Sequence, residues 1–367
     1  MGLSSTGMRL GLELVHRTGL GRLSGRVLAR AGVIFALHRV KPKEAKAFAP
    51  NQLLEVTPEF LEETIKTVRG SGFDIVSLDE GLARLANGAS RPFACFTFDD
   101  AYRDNKDFAL PVLERCNVPF TVYVPEHFAD GTGQIWWVEL ERAIEVAATV
   151  AVPHLFPGET LSCGSAEEKT QTFNRIYWRL RRMDEVAARR IVRHVCTKAG
   201  LDVTGLCREL IMPWEDLRGL AHNPLARLGA HTIGHFAVAK LHPAEALHEM
   251  KASKARVEAE TGQPCQHICY PYGDAGSAGP RDFVLAKQAG FKSGVTMRKG
   301  LIEPRHKNAL LSLPRCSLNG AFQNQGYVEA LLSGLPFALW NTLVERPRQL
   351  ASGRALSYEP QSWEGLR

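Results

Sequence analysis

The chain has 367 residues, 45% of them hydrophobic and 23% charged, with a formal net charge of +6 at pH 7. This is ordinary globular composition, long enough for one large domain or two smaller ones, and no Lys/Arg run is dense enough to mark a nucleic-acid stripe. No apolar stretch approaches the roughly 18 residues of a membrane-crossing helix, and eight cysteines without CxxC pairs or regular spacing point to free thiols in a reducing, cytoplasmic setting.

Residues 1–30 carry Arg9, Arg17, Arg22, Arg26 and Arg30 among Leu and Val, with Glu13 the lone acid. They lack the continuous apolar core and cleavage site of a secretory signal. The segment reads as a basic helix that either packs on the domain or lies on an anionic membrane surface. From residue 31 strand-like and helix-like segments alternate. AGVIFALHRV (31–40) reads as a buried strand, and TPEFLEETIKTVRGSG (57–72) as a helix capped by Thr57 with Pro58 at its first position. FDIVSL (73–78) is a predicted strand, DEGLARLANG (79–88) a helix and FACFTF (93–98) a strand. KDFALPVLERC reads as a helix and PFTVYV (119–124) as a strand.

The alternation breaks over about residues 130–215, where IWWVELERAIEVAATV, AEEKTQTFNRIYWRLRRM and DEVAARRIVRHVCTKAG carry helical periodicity, so a helical insertion is expected. ARLGAHTIGH then resumes the strand pattern, and PAEALHEMKASKARVEAETG (243–262) is a long helix. HICYPYGD is a strand and loop, RDFVLAKQAG a helix, FKSGVT a strand and ALLSLPRCSL the last strand. Residues 331–367 read as a C-terminal helix and polar tail. The pattern over 31–330 predicts an α/β domain with parallel strands, a barrel or a doubly wound sheet, in which ligands sit at the strands' carboxyl ends.

Three such ends carry chemistry. FACFTF stops on two adjacent carboxylates, Asp99 and Asp100. Two like charges forced together raise the pKa of one of them, unless a metal neutralises one and leaves the other as a base. LARLGA runs into His231 and His235, whose i, i+4 spacing can place two imidazoles on one face of a helical turn, around one metal. Two imidazole nitrogens and one carboxylate oxygen would leave open positions for water and substrate. HICYPYGD ends the third strand: Pro271 fixes the backbone, Gly273 permits a tight turn, and Tyr270 and Tyr272 are candidate cavity residues.

TFDD (97–100), HTIGH (231–235) and YPYG (270–273), in that order, resemble the first three motifs of the polysaccharide deacetylase superfamily, the NodB-homology carbohydrate esterases of family four. FALHRV (35–40) is similar to the family's opening strand, and the likeness spans roughly residues 33–320. The resemblance implies an irregular (β/α) barrel that removes acetyl groups, usually N-acetyl from amino sugars, with a divalent metal that is often Zn2+. Carried over, it makes Asp100, His231 and His235 metal ligands and Asp99 the general base. On the same resemblance the metal would polarise the acetyl carbonyl and lower the pKa of a bound water, and Asp99 would take a proton as that water attacks. In the family a backbone amide of the third motif, here near Tyr272, helps stabilise the oxyanion. Tyr270, Pro271, Tyr272 and Arg315 are then expected to bind an acetylated saccharide.

The chain departs from the family pattern at three points. Ala101 follows the acid pair in place of the usual Gly, Cys269 stands where an Arg that contacts the catalytic Asp is common, and the last strand lacks the histidine expected as general acid. Arg315 on that strand is a candidate to hold Asp99 or to bind substrate, and His306 and His38 are the candidate acids. These departures leave two alternatives open: hydrolysis of another amide or an O-acetyl ester on the same scaffold, or saccharide binding without catalysis. Without an export signal, the expected substrate is an intracellular sugar or polysaccharide precursor.

Overall fold

The computed structural model describes Glu13, residues 30–88 and residues 90–342. The expected N-terminal basic helix with its membrane-contact reading (apart from Glu13 and Arg30) and the tail beyond residue 342 lie outside the described residues.

Eight strands form one sheet with every pair parallel: β1 (Gly32–Leu37), β2 (Asp74–Ile75), β3 (Phe93–Phe98), β4 (Phe120–Val124), β5 (Ala226–Ala230), β6 (His267–Cys269), β7 (Ser293–Lys299) and β8 (Leu313–Ser317). Round the ring the order is β1-β8-β7-β6-β5-β4-β3, and β3 pairs back onto β1 along its whole length, which closes a seven-stranded barrel. The eighth strand, β2, lies beside the first two residues of β3, and β4 beside its last three. This is an irregular (β/α) barrel, as the alternation and the family resemblance led us to expect.

Alternation along the strands builds two apolar layers. Val33, Phe35, Leu37, Ala94, Phe96 and Phe98 belong to the large outer core under the helices, with Phe35 and Phe96 ring to ring at 5.1 Å. Ile34, Cys95, Tyr123, Cys269, Val295 and Leu313 form a second cluster inside the barrel. Each large side chain so buried contributes about 1.5–3 kcal/mol. The inward series 93, 95, 97 of β3 continues to Asp99, so the pleat itself aims that carboxylate at the barrel axis.

Helices α1 (Pro58–Gly70) and α2 (Leu78–Asn87) start on Thr57 and Ser77, whose hydroxyls accept from the amides of Phe60 and Glu80. Ser77 is taken by this cap, so the strand expected over 73–78 shrinks to two residues. Helix α3 (Leu110–Arg115) precedes β4. Between β4 and β5 stand α4 (Trp136–Val146), α5 (Ala166–Leu180), α6 (Glu185–Lys198) and α7 (Trp214–Ala221), where the helical insertion was expected. Within it the helical reading fails at Thr149–Ala151, which pairs antiparallel with Thr160–Ser162. The β-branched pair Thr149–Val150 sits in the exposed–buried alternation of a strand there. Helices α8 (Pro243–Thr261), α9 (Pro280–Gln288), α10 (Gln325–Leu332) and α11 (Leu335–Trp340) complete the described chain, and none of its helices is long and apolar enough to cross a membrane.

Candidate metal and catalytic centre

Four strand ends meet at one mouth of the barrel. His38 follows β1, Asp99 and Asp100 follow β3, His231 follows β5, and Tyr270 to Gly273 follow β6. The two acids separate because the backbone turns between them. Asp100 and Ala101 both take positive φ, 69° and 56°, which swings the Asp100 carboxylate across to the histidines. Thr232 (64°), His235 (55°) and Tyr272 (61°) do the same in the other two motifs. Of the six non-glycine residues at positive φ among the described residues, four lie in these motifs and a fifth, Ala101, directly follows the first. Backbone strain of this kind clusters at functional sites.

Asp100, His231 and His235 are 2%, 1% and 4% exposed. Oδ1 of Asp100 lies 3.5 Å from Nε2 of His231 and 3.2 Å from Nε2 of His235. One donor atom from each residue falls within 4.8 Å of the others, and Asp100 Oδ1 is buried without a hydrogen-bond partner among the described residues. The Nδ1 of His231 lies 2.6 Å from the carbonyl of Cys269. A carbonyl only accepts, so Nδ1 carries a proton and Nε2 is the nitrogen that faces Asp100. Burial lowers the His231 pKa, but Cys269 and Asp100 more than offset it and hold it well above the ordinary value, so a metal at Nε2 would take the place of a proton. Burial lowers the His235 pKa against the opposing pull of Asp100, which favours the neutral imidazole a metal needs. Burial raises the Asp100 carboxyl, but the two histidines more than offset it and hold it well below the usual range. A buried orphan oxygen facing the Nε2 atoms of two imidazoles fits a divalent cation.

HTIGH is not helical, contrary to the i, i+4 reading. It is an irregular turn, and its two left-handed residues bring the imidazoles together, 4.8 Å between ring centroids. The His235 ring is held by Phe128 (stacked, 5.4 Å), Trp137 (5.1 Å) and Tyr272 (4.9 Å). The insertion thus supplies a wall of the site: Trp137 also donates to the Tyr102 hydroxyl at 3.1 Å, and Trp136 to that of Tyr272 at 2.7 Å. The sequence reading missed both tryptophans, although the IWW run at the start of the helix was a visible signal.

Asp99 faces Arg315. Nη1 and Nη2 of Arg315 reach its two carboxylate oxygens at 2.8 and 2.7 Å, and further bonds from the guanidinium reach Thr97 Oγ1 and the Thr296 carbonyl. Of the two roles the sequence left open for Arg315, the geometry favours holding Asp99 over binding substrate. The charge expected from the third motif is present after all, delivered from β8, and Cys269 Sγ at 3.1 Å from Nη2 leaves the space it occupies. The Arg315 side chain is wholly buried, so it cannot touch substrate. Burial raises the Asp99 carboxyl, and Arg315 more than offsets this and brings it below the ordinary value.

The other candidates divide. His38 Nε2 lies 3.8 Å from Asp99 Oδ2, and its side chain is 19% exposed against 3% for Asp99, so it opens to the mouth. His306 is at the wrong end of the barrel. Ile302 bridges Gly32, the first residue of β1, and the 304–308 turn packs on α2, about 16 Å of strand from the mouth. There His306 Nδ1 accepts from the Glu303 amide, which corrects its reading as an acid. Tyr270 is corrected as a cavity residue: it is fully buried, donates to the Leu311 carbonyl at 2.9 Å and packs on Phe283. Pro271 is buried, and Tyr272 is half-buried at the site with the Arg181 guanidinium 3.7 Å above its ring.

Gly273 closes the third motif. Its N–H donates to the Pro271 carbonyl at 2.7 Å, a γ-turn about Tyr272, and its own φ is 60°. A Cβ here would stand 2.4 Å from Met297 N. Gly273→Ala is expected to destabilise the fold by about 2–4 kcal/mol, from the left-handed conformation and the clash together. Urea unfolding measures this, and a loss below 1 kcal/mol (roughly the scatter of surface substitutions) would refute it.

A family profile for polysaccharide deacetylases matches residues 86–293, more than half of the chain. The chain belongs to the polysaccharide deacetylase family. The match contains Asp99, Asp100, His231, His235 and the third motif, whereas His38 and Arg315 lie outside it. Among solved structures, the deacetylase is similar to IcaB from Ammonifex degensii, with 16% identity, 83% of this chain and 98% of that one covered, and a TM-score of 0.51. It is also similar to a polysaccharide deacetylase from Bacillus cereus, with 13% identity, 83% and 69% covered, and a TM-score of 0.52. At these identities the likeness shows the deacetylase fold. Comparison with curated proteins gives no match.

Proposed function

We propose that this carbohydrate deacetylase is metal-dependent and hydrolyses the N-acetyl group of an acetylated sugar or polysaccharide precursor, with Asp99 as general base and His38 as general acid. The juxtaposition of Asp100, His231 and His235 with an arginine-held carboxylate on one side of the mouth carries this reading. Two imidazoles and a carboxylate suit Zn2+. When bound, such a cation supplies positive charge that polarises the acetyl carbonyl and acidifies water.

The chain's own residues supply the rest. Asp99, held ionised by Arg315, takes a proton from the attacking water as its oxygen bonds to the carbonyl carbon. The N–H of Tyr272 makes no hydrogen bond among the described residues, which supports its reading as a donor to the developing oxyanion. His38 gives a proton to the nitrogen as the carbon–nitrogen bond breaks, and acetate and a free amine leave. Pro271 and Tyr272 are the proposed substrate contacts.

The test is acetate release from N-acetylated sugars by the zinc-loaded protein. Chelation should abolish it, Asp99→Asn should lower it at least 100-fold, the lower end of general-base effects, and His231→Ala should remove both metal and activity. Release at the wild-type rate by both variants would sink the mechanism. An O-acetyl ester panel in the same assay separates the ester reading, and stoichiometric saccharide binding without turnover the binding-protein reading.

A further inference from the structure

The HTIGH turn has no regular secondary structure and two strained residues, so something outside it must fix its backbone. Its carbonyls are met from two sides. The amides of Glu126 and His127 donate to Thr232 and Ile233 at 3.1 and 3.0 Å, and Arg189 Nη2 on α6 donates to the His235 carbonyl at 2.9 Å. Of its amides, that of His231 donates to the Val124 carbonyl at 3.1 Å, and those of Ile233 and Gly234 both donate to Oε2 of Glu249 on α8, at 2.8 and 2.9 Å.

Glu249 is 9% exposed and has no cation within ion-pair distance among the described residues. A carboxylate buried without a cation is costly unless hydrogen bonds satisfy it. Successive amides beside a left-handed residue make an anion-binding nest, and Thr232 is that residue here. The carboxylate and the turn therefore stabilise each other.

We propose that Glu249 is a positioning residue for the metal centre: it locks the backbone between His231 and His235 so that both Nε2 atoms converge on Asp100. This rests on the reading of those three residues as metal ligands. Because one oxygen takes both amides, position matters more than charge. Gln presents a carbonyl oxygen at the same reach, whereas Asp, one methylene shorter, withdraws it by about 1.5 Å.

The experiment uses the full chain and a chromogenic chelator competing for Zn2+, with the absorption spectrum of the Co2+-loaded protein as a second readout and the melting temperature of the metal-free protein as control. Glu249→Ala and Glu249→Asp should bind Zn2+ about 10–100-fold more weakly and alter the Co2+ bands, while Glu249→Gln stays within about 3-fold of wild type. A purely structural role would lower the melting temperature and leave the folded protein's affinity and Co2+ spectrum unchanged. If Glu249→Ala does not fold, Glu249→Asp decides. Wild-type affinity and spectrum in every variant that folds overturns the proposal alone. A wild-type chain that binds neither metal overturns it together with the metal reading.

Discussion

Arg315→Met destabilises the protein by about 3–5 kcal/mol at neutral pH, the expected result of stripping one partner from a buried ion pair. The Arg315 side chain is fully buried and Asp99 nearly so, and their two parallel hydrogen bonds are 2.8 and 2.7 Å long. Methionine keeps the apolar stem and loses the charge, which leaves the Asp99 carboxylate buried with no cation of comparable reach. The pH dependence then changes sign. In the wild type the folded pKa of Asp99 lies below the ordinary value near 3.9, so its stabilisation is complete above about pH 4 and is lost as pH falls through the folded value. Without Arg315 burial dominates and the folded pKa rises above the unfolded one, so the variant gains stability on protonation and its deficit shrinks as pH falls. Urea unfolding at about pH 7 and about pH 5 reads both effects, and Asp99→Asn/Arg315→Met should recover much of the loss. Equal stability of Arg315→Met and wild type at neutral pH would refute the account. The same pair explains Cys269. Its thiol, which burial keeps protonated, lies 3.1 Å from the guanidinium, and an arginine in its place would force two cations into one buried space.

The barrel was legible because its strands are fully buried on both faces and so read as continuous apolar runs, GVIFAL and FACFTF above all. The cluster of Asp100, His231 and His235 was legible because acids and histidines stand directly after such runs. What the sequence could not show is direction. TFDD says nothing of the left-handed turn at Asp100 that parts the two carboxylates, and HTIGH reads as a helix unless the two positive φ values are known. Nor does spacing say which of its two candidate roles Arg315 fills. Arg315 is 216 residues from Asp99 and meets it only because β8 closes the ring onto β1, the neighbour of β3. Glu249 is likewise hidden, since its partners are backbone amides, which leave no mark in a side-chain pattern. His306 and His38 looked equivalent as isolated histidines, and only the ends of the barrel separate them.

His38→Gln lowers release of acetate from an N-acetyl sugar by about 10²–10⁴-fold, or about 3–5.5 kcal/mol of barrel-mouth catalysis, yet barely slows hydrolysis of an aryl acetate. The difference lies in the leaving group. An amine cannot depart from carbon as an anion, so its nitrogen must receive a proton as the bond breaks, whereas an aryl oxide departs unaided. On the proposed mechanism His38 gives that proton: it follows β1, stands 3.8 Å from Asp99 and opens to the mouth, while both oxygens of Asp99 are held by Arg315. Glutamine keeps the size and a hydrogen-bond donor, so it removes proton transfer with little change in shape. Zn2+ affinity, which the proposed metal centre of Asp100, His231 and His235 would supply, should stay at the wild-type value, and this separates a lost acid from a damaged site. Equal losses on both substrates would instead make His38 a structural neighbour of Asp99. Asp99→Asn should differ in kind, slowing both substrates, since each needs an activated water whatever group departs.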